Sequence, residues 1–478
     1  MSELAARIRP LLADALDVYS GRPAYDRLRV LADHLDEPLR VAIAGRVKAG
    51  KSTLLNALVG RPIAATDAGE CTRIVTWYAH GPSPRAWAHL RAGGRTPVPL
   101  KDAATGLGVE LGTLTLDDVA QVRVELPAPW LERMTLIDTP GLGSLTPDAE
   151  ARTTDLLSTP TGEVDAVIYL MRHLHLSDKD FLEVFHRTPF TDTTPVNAIG
   201  VLSRADEIGG GRPDAMDLAE RAATIYRSDV RVRGLVHTVV PVSGLLASAA
   251  AMLSTEDIAA LRALAGSPAS LLLSAARFVR PDSRIPVPAA VRRRLLGTLG
   301  LHGLRHVLTL SNVDLRAALT EHSGLPALSR LLLTQFADRR DTFKAESVLR
   351  VLDGVTAADP VPAAHRIREA AERIRVNAHE LAEIQVLTQV RTGEITGSAG
   401  RLATLERLLG GSGTSAPTRL DLPPDATPES VAVALAEQRA LWAKVSRSPL
   451  SDHGMINAAG VALRTCAGIA STTAGRVS

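Results

Sequence analysis

The chain has 478 residues, enough for two or three domains with cores of their own, and its 54 basic and 52 acidic side chains leave a formal charge of only +2. That balance gives no global electrostatic case for nucleic acid. Aromatic residues are 3% of the chain, so Val, Ile and Leu must fill the core. Cys71 and Cys466 belong to no CxxC or Cys/His cluster; they exclude a disulfide scaffold, offer no zinc site and suit a reducing cytosol.

In chain order, residues 2–37 read as two helices separated at Ser20-Gly21-Arg22-Pro23. The opening stretch MSELAARIRPLLADAL is amphipathic, carries acids and has no small-residue cleavage site, so it is predicted to be a structural helix rather than a signal peptide. Leu39–Ala44 is an apolar run of the kind a buried parallel strand needs. It leads into Gly45-Arg46-Val47-Lys48-Ala49-Gly50-Lys51-Ser52, the G-x-x-x-x-G-K-[ST] pattern, and then into an apolar helix. Strand, loop and helix in that order mark a loop that curls its N–H groups around phosphate. Lys51 is placed for the β- and γ-phosphates and Ser52 for Mg²⁺, with Ala49, Gly50 and Thr53 lining the same turn. These residues point to a nucleoside triphosphate.

Thr72 precedes a strand predicted over Ile74–Tyr78, where a threonine can meet the γ-phosphate and Mg²⁺ from the far side. Residues 81–120 read as a Pro- and Gly-rich insertion on the sheet edge, and Gln121–Leu126 alternates like a half-buried strand. Met134–Ile137 is a buried strand ending in Asp138-Thr139-Pro140-Gly141, a D-x-x-G. There an Asp holds Mg²⁺ through water and the Gly N–H contacts the γ-phosphate. Asp165–Leu170 is a further strand; His173 and His175 beyond it point oppositely if extended, which argues against joint metal binding. Val196–Leu202 leads into Ser203-Arg204-Ala205-Asp206, and Val236–Val240 into Pro241-Val242-Ser243-Gly244, the strand ends where doubly wound sheets bind the base. A carboxylate at Asp206 can accept from guanine N1–H and its exocyclic amine, a donor pair that adenine lacks. Arg204 can lay its guanidinium or stem on the purine.

From about residue 245 the pattern is helical. Gly300–Leu308 and Gly324–Leu333 read as helix starts capping the sheet, Phe336–Val355 as one helix, and 363–391 as another. Ile367, Ala371, Ile374, Ala378 and Leu381 form an apolar seam along the latter, a rod of ~42 Å. Helices over 400–410, 429–447 and 452–470 follow, and the N-terminal pair is predicted to complete this bundle, bringing both chain ends side by side. The apolar stretches 244–254 and 454–470 are too short or too interrupted to span a bilayer. The expected fold is a mostly parallel α/β P-loop domain over 38–335 with an all-α bundle built from 336–478 and the N-terminal helices 1–37.

The four boxes, in this order and with helices on both flanks, resemble the bacterial dynamin-like GTPases. GKSTLLNALVGRPIAATDAGECTRIVTWYAHGPSPR, GVLSRADEIGGGRPDAM, VVPVSGLLA and LLGGSGTSA carry the likeness over nearly the full length. The resemblance implies a GTP/GDP- and Mg²⁺-binding hydrolase on a helical neck and trunk. It also implies self-association across the nucleotide face or pairing with a paralogous GTPase, and peripheral contact with the inner face of the cell membrane. Carried over by motif, Gly45 to Ser52 form the phosphate loop and Thr72 the first switch; Asp138 and Gly141 form the second, and Arg204 and Asp206 read the base. The chain departs from the family at Ser203-Arg204, where Thr or Asn precedes Lys, and at Val47-Lys48, where eukaryotic dynamins have Gln-Ser. Lys48 can supply from within the chain the charge that those proteins take from a monovalent cation, or it can face solvent or an acid across a dimer. The alternative function is a signalling switch whose helical arm binds a partner GTPase or divisome protein without membrane contact; a P-loop ATPase is a further one.

Overall fold

The computed structural model describes residues 3–64, 74–103, 106–140, 164–172, 195–310 and 313–474. Thr72, Gly141, His173 and His175 lie outside them. The strands are β1 (Leu39–Gly45), β2 (Thr76–His80), β3 (Arg85–Leu90), β4 (Arg95–Pro97), β5 (Leu100–Ala103), β6 (Gly106–Val109), β7 (Val119–Leu126), β8 (Met134–Asp138), β9 (Ala166–Met171), β10 (Ala198–Ser203) and β11 (Thr238–Val242). Nine of them form one sheet in the order β11-β10-β9-β1-β8-β2-β7-β3-β4, with β5 and β6 as a separate hairpin. The expected edge insertion over 81–120 is thus real, and it lengthens the sheet through β3 and β4.

The strands β8, β1, β9, β10 and β11 all run parallel. Parallel pairing puts their C-terminal ends, Asp138, Gly45, Met171, Ser203 and Val242, on one edge of the sheet, where open α/β sheets bind ligands. Side chains alternate between two faces. Val41 and Ile43 of β1 pack with Leu54, Leu55 and Leu58 of α1 (Lys51–Val59). Ala42 and Ala44 face the other way, toward Ala219 and Ala223 of α2 (Ala215–Ser228). Burial on both faces explains the unbroken apolar runs of these strands.

Beyond the sheet, Leu246, Phe278, Leu295, Leu299 and Leu319 make a helical cap. Gly300, expected to start a helix, does so: at φ 65° and ψ 176° it breaks the span α3 (Ala289–Val307) into two helices, the second beginning after it. Gly324 also begins one, capping Leu325–Leu331 with φ 75°. The expected single helix Phe336–Val355 is delayed: a π-turn over Leu332–Phe336 and a 3₁₀ turn over Ala337–Arg339 precede α4 (Arg340–Ala358).

The long rod over 363–391 is two helices, α5 (Ala364–Asn377) and α6 (His379–Thr392), parted at Ala378 with φ −86° and ψ 104°. The Asn377 amide donates to the Arg373 carbonyl at 2.7 Å, a local bond that competes with helix continuation. The seam residues Ile367, Ala371, Ile374 and Ala378 are buried, but against Leu4, Ile8, Leu11, Leu28 and Leu31 of the N-terminal helices Glu3–Val18 and Ala24–Asp36, together with Val348 and Leu352 of α4. Ile384, Leu387 and Val390 of α6 instead join Trp442, Ala458 and Cys466 of the last two helices, Pro428–Ser446 and His453–Ala474. The N-terminal helices therefore find their core with 340–378, and the two chain ends belong to different cores. Leu328, Leu332 and Phe336 carry the C-terminal core continuously into the sheet core.

Candidate functional site

The P-loop leaves β1 at Gly45, whose φ is 148°. A Cβ there would meet the Leu170 carbonyl oxygen of β9 at 2.5 Å, so glycine is demanded by the neighbouring strand before any ligand arrives. Gly50 faces no such crowding; its φ of 95° at the N-cap of α1 is the reason for glycine there. Lys48 adopts φ 64°, a left-handed conformation that costs a non-glycine residue about 1 kcal/mol. Lys51 Nζ rests on its own loop, donating to the carbonyls of Gly45 at 3.1 Å and Arg46 at 3.4 Å. Burial lowers its pKa, and the charge of Asp138 works in the opposite direction.

Asp138 ends β8 beside β1, at the register Ile43↔Asp138. The Ser52 hydroxyl donates to its Oδ2 at 3.4 Å, while its Oδ1 is buried without a partner. Burial raises the carboxyl pKa to about 6, against the opposing pull of Lys51 and Ser52. A buried carboxylate oxygen left unpaired beside a serine hydroxyl fits a hydrated divalent cation, which would supply the missing charge. Thr139 donates its hydroxyl to the Ile43 carbonyl at 2.9 Å and ties the start of the D-x-x-G loop to β1.

A cavity of ≈ 180 Å³ opens next to this loop, lined by Ala49, Gly50, Thr53, Leu170, Ser203, Arg204, Asp206, Glu207, Gly244 and Leu245. The structure thus brings the P-loop and the loops at Ser203–Asp206 and Pro241–Gly244 to one cleft. Asp206 is buried, at 6% exposure, in the turn after β10. Arg204 reaches the cleft in a left-handed conformation, φ 52°, and donates to Glu207 Oε1 at 2.9 Å. Glu207, which lines the cleft beside Arg204, also accepts from Arg172.

The two serines are used differently from their neighbours. The Ser203 hydroxyl donates to the Met171 carbonyl at 3.2 Å, and Ser243 Oγ accepts from the Leu246 N–H at 3.2 Å to cap the helix Gly244–Met252. Both hydroxyls are taken up by the fold. Gly244 lets that helix cross α1 closely: a Cβ there would lie 3.2 Å from Thr53 Cγ2. Residues 170, 172, 207 and 245 were not singled out in the sequence. Glu207 alone carried a local signal, as an acid beside the Ser203–Asp206 box; Leu170 and Leu245 reach the cleft through strand register and helix crossing, and Arg172 is tied to it through Glu207.

The geometry is that of a P-loop GTPase. The family model described as Dynamin family matches residues 41–187. The chain is 39% identical to the isoniazid-induced protein IniC of Mycobacterium tuberculosis over 482 aligned residues, covering 96% of this chain and 97% of IniC. It is 30% identical to the bacterial dynamin-like protein of Nostoc punctiforme over 33% of this chain and 24% of that protein. A solved oligomerised bacterial dynamin pair aligns with 99% of this chain and 76% of its own at 13% identity, TM-score 0.34. The chain belongs to the dynamin family: it is a bacterial dynamin-like GTPase, a GTP hydrolase, similar along almost its whole length to IniC.

Among the described residues no single helix is long and apolar enough to cross a membrane; the one candidate pair, Gly244–Met252 with Thr255–Leu264, is bent by 113° and packs in the helical cap.

Proposed function

We propose that this GTPase binds GTP with Mg²⁺ in the cleft at the C-terminal edge of the parallel strands and couples hydrolysis to movement of a helical arm that remodels or repairs membrane. In this reading Asp206 accepts from guanine, Arg204 covers the base, and Ser203, Ser243 and Gly244 shape the base pocket through the backbone. Lys51 leaves its carbonyls for the triphosphate, while the N–H groups of Gly45 to Thr53 hold the phosphates. Ser52 and, through water, Asp138 hold Mg²⁺, which neutralises charge developing on the phosphates when bound. Thr72 and Gly141 are the switch contacts to the γ-phosphate side, and Lys48 supplies a further positive charge during turnover. The arm comprises 336–478 with 1–37 packed on it, and the active form is a dimer across the nucleotide face, with itself or a paralogous GTPase, lying peripherally on the inner face of the cell membrane.

The observation that carries this reading is the convergence of Lys51, Ser52, Asp138 and Asp206 on one sheet edge whose core runs unbroken through Leu332 and Phe336 into the arm. Sedimentation with liposomes of anionic phospholipid tests it. The wild type is expected to pellet in a GTP-dependent manner, and Lys51→Ala, deprived of its triphosphate charge partner, is not. A protein that turns over GTP yet stays in the supernatant in every nucleotide state would contradict membrane action and leave the partner-binding switch.

A further inference from the structure

At the other end of β11 from the nucleotide cleft lies a second cavity, of ≈ 460 Å³. This falls within the roughly 300–1,000 Å³ of small-ligand sites. Its walls come from both parts of the molecule: Tyr226 and Arg227 of α2, Arg233, the β11 start at Thr238 and Val239, Arg391 of α6, and Glu406 and Arg407 of the helix Ala399–Leu408, closed by Gly411 and Ser412. Four arginines line it against one carboxylate.

The arginines are incompletely matched. Arg233 donates to Glu406, and Arg391 lies 3.7 Å from the other oxygen of the same carboxylate, so two guanidiniums share one negative charge. Arg391 is only 7% exposed; it donates to the His237 carbonyl, but its Nε has no partner. Arg407 reaches Asp421 outside the cavity at 3.1 Å, and its Nε is likewise buried and unpaired. Arg227 spends its donors on the Val239 carbonyl, Thr224 and Glu220. The imidazole of His237 is buried with Nδ1 unpaired. Burial and the charges of Arg391 and Arg339 hold its pKa well below the usual range, so it brings no charge of its own. Two guanidiniums sharing one carboxylate, beside two buried Nε atoms with no partner, are costly unless an anion completes them. A planar guanidinium fork matches the oxygens of phosphate bidentately.

We propose that this cavity is a binding site for a phosphate group, separate from the nucleotide cleft and seated at the junction of the GTPase sheet with the helical arm. The phosphate is either free or carried as a phosphomonoester. It adds the negative charge that Arg233 and Arg391 lack and bridges α2 and β11 to the helices at 391 and 407. Because β11 spans only about 16 Å between this cavity and the nucleotide cleft, a ligand here bears on the strand that ends at Val242 and leads into the helix starting at Gly244.

The test uses the full chain saturated with GDP and Mg²⁺, so that the P-loop is occupied. Inorganic phosphate is titrated by calorimetry, and vesicles of phosphatidic acid in phosphatidylcholine by flotation. Saturable phosphate binding is expected to weaken at least tenfold in Arg227→Gln/Arg407→Gln and in Ser412→Glu, while Lys51→Ala keeps it. Arg227 and Arg407 are 33% and 27% exposed and Ser412 is at the surface, so both variants should fold. Flotation that Ser412→Glu abolishes, without binding of free phosphate, assigns the phosphate to a lipid. No saturable binding in either arm, binding indifferent to both variants, or binding lost only in Lys51→Ala would overturn the site.

Discussion

Lys48 holds a backbone conformation that glycine would hold without strain, and it stands between Gly45 and Gly50 in the turn that curls around the phosphates. A charge offsetting what develops between the β- and γ-phosphates is worth ~10³–10⁵ in rate. Lys48→Ala is therefore expected to keep GTP affinity and lose turnover, and wild-type turnover to be indifferent to potassium or sodium at fixed ionic strength. Lys48→Ser should recover part of the rate only with potassium present; a Lys48→Ala protein of normal rate would assign the lysine to solvent. The residues of the cleft that were legible in the sequence are those whose chemistry is local to a motif: Gly50, Lys51, Ser52, Asp138 and Asp206. The reason for Gly45 was not, because the Leu170 carbonyl that excludes a Cβ comes from a strand 125 positions downstream. Nor was the use of the Ser203 and Ser243 hydroxyls, which depends on Met171 and on a helix cap.

Among the elements, the parallel strands β1, β8, β9, β10 and β11 were legible to within two residues because burial on both faces leaves an unmistakable apolar run, whereas β3 to β6, inside 81–120, were not read as strands. The break at Ala378 was hidden because its two helices keep a three-and-four spacing across it while serving different cores. Ile374, 7% exposed among the N-terminal helices, remains a seam residue. Ile374→Asp should unfold that module, seen as a lost helical melting transition, while GTP affinity persists; an unaltered melt would mean the seam is not a core. Also invisible to sequence is the joint of His34, Asp165 and Lys344, residues of three distant segments, each 1–2% exposed in its side chain. Asp165 Oδ2 accepts from the Arg40 N–H at 2.8 Å, lies 3.1 Å from His34 Nε2 and 3.6 Å from Lys344 Nζ, which donates to the His34 carbonyl at 2.6 Å. Burial alone would push the Asp165 pKa up, but the surrounding positive charge holds it below its usual value. At neutral pH that charge is Lys344, since burial keeps His34 neutral. A depressed carboxyl pKa gives stability that is full above pH 3.8, the ordinary value, and is lost as pH falls through the folded one. Lys344→Met should cost about 3–5 kcal/mol in chemical denaturation at pH 7 by stranding the carboxylate, and Asp165→Asn/Lys344→Met less than the sum of its singles. Strict additivity would show that the pair is not coupled.

For the molecule as a whole, nothing in the sequence signals that the N-terminal helices share a core with 340–378 rather than with the last two helices, because amphipathic faces do not name their partners. The arrangement has a mechanical sense. Asp165 opens β9 while Lys344 and His34 belong to the arm, so the sheet is held to the arm at this joint and again through Leu332 and Phe336. Any motion of the arm during turnover would be transmitted through these contacts together with the Arg391–His237 and Arg233–Glu406 contacts at the second cavity.

The account rests most heavily on Asp206 reading guanine in the cleft that Lys51 serves, and competition binding measures this directly. With the wild type, unlabelled GTP should displace labelled GTP while ATP at the same concentrations does not. Asp206→Asn should weaken GTP by roughly 1–3 kcal/mol, since a charged acceptor facing two guanine donors is lost. ATP competing as well as GTP in the wild type, or an Asp206→Asn protein with undiminished GTP affinity, would contradict it.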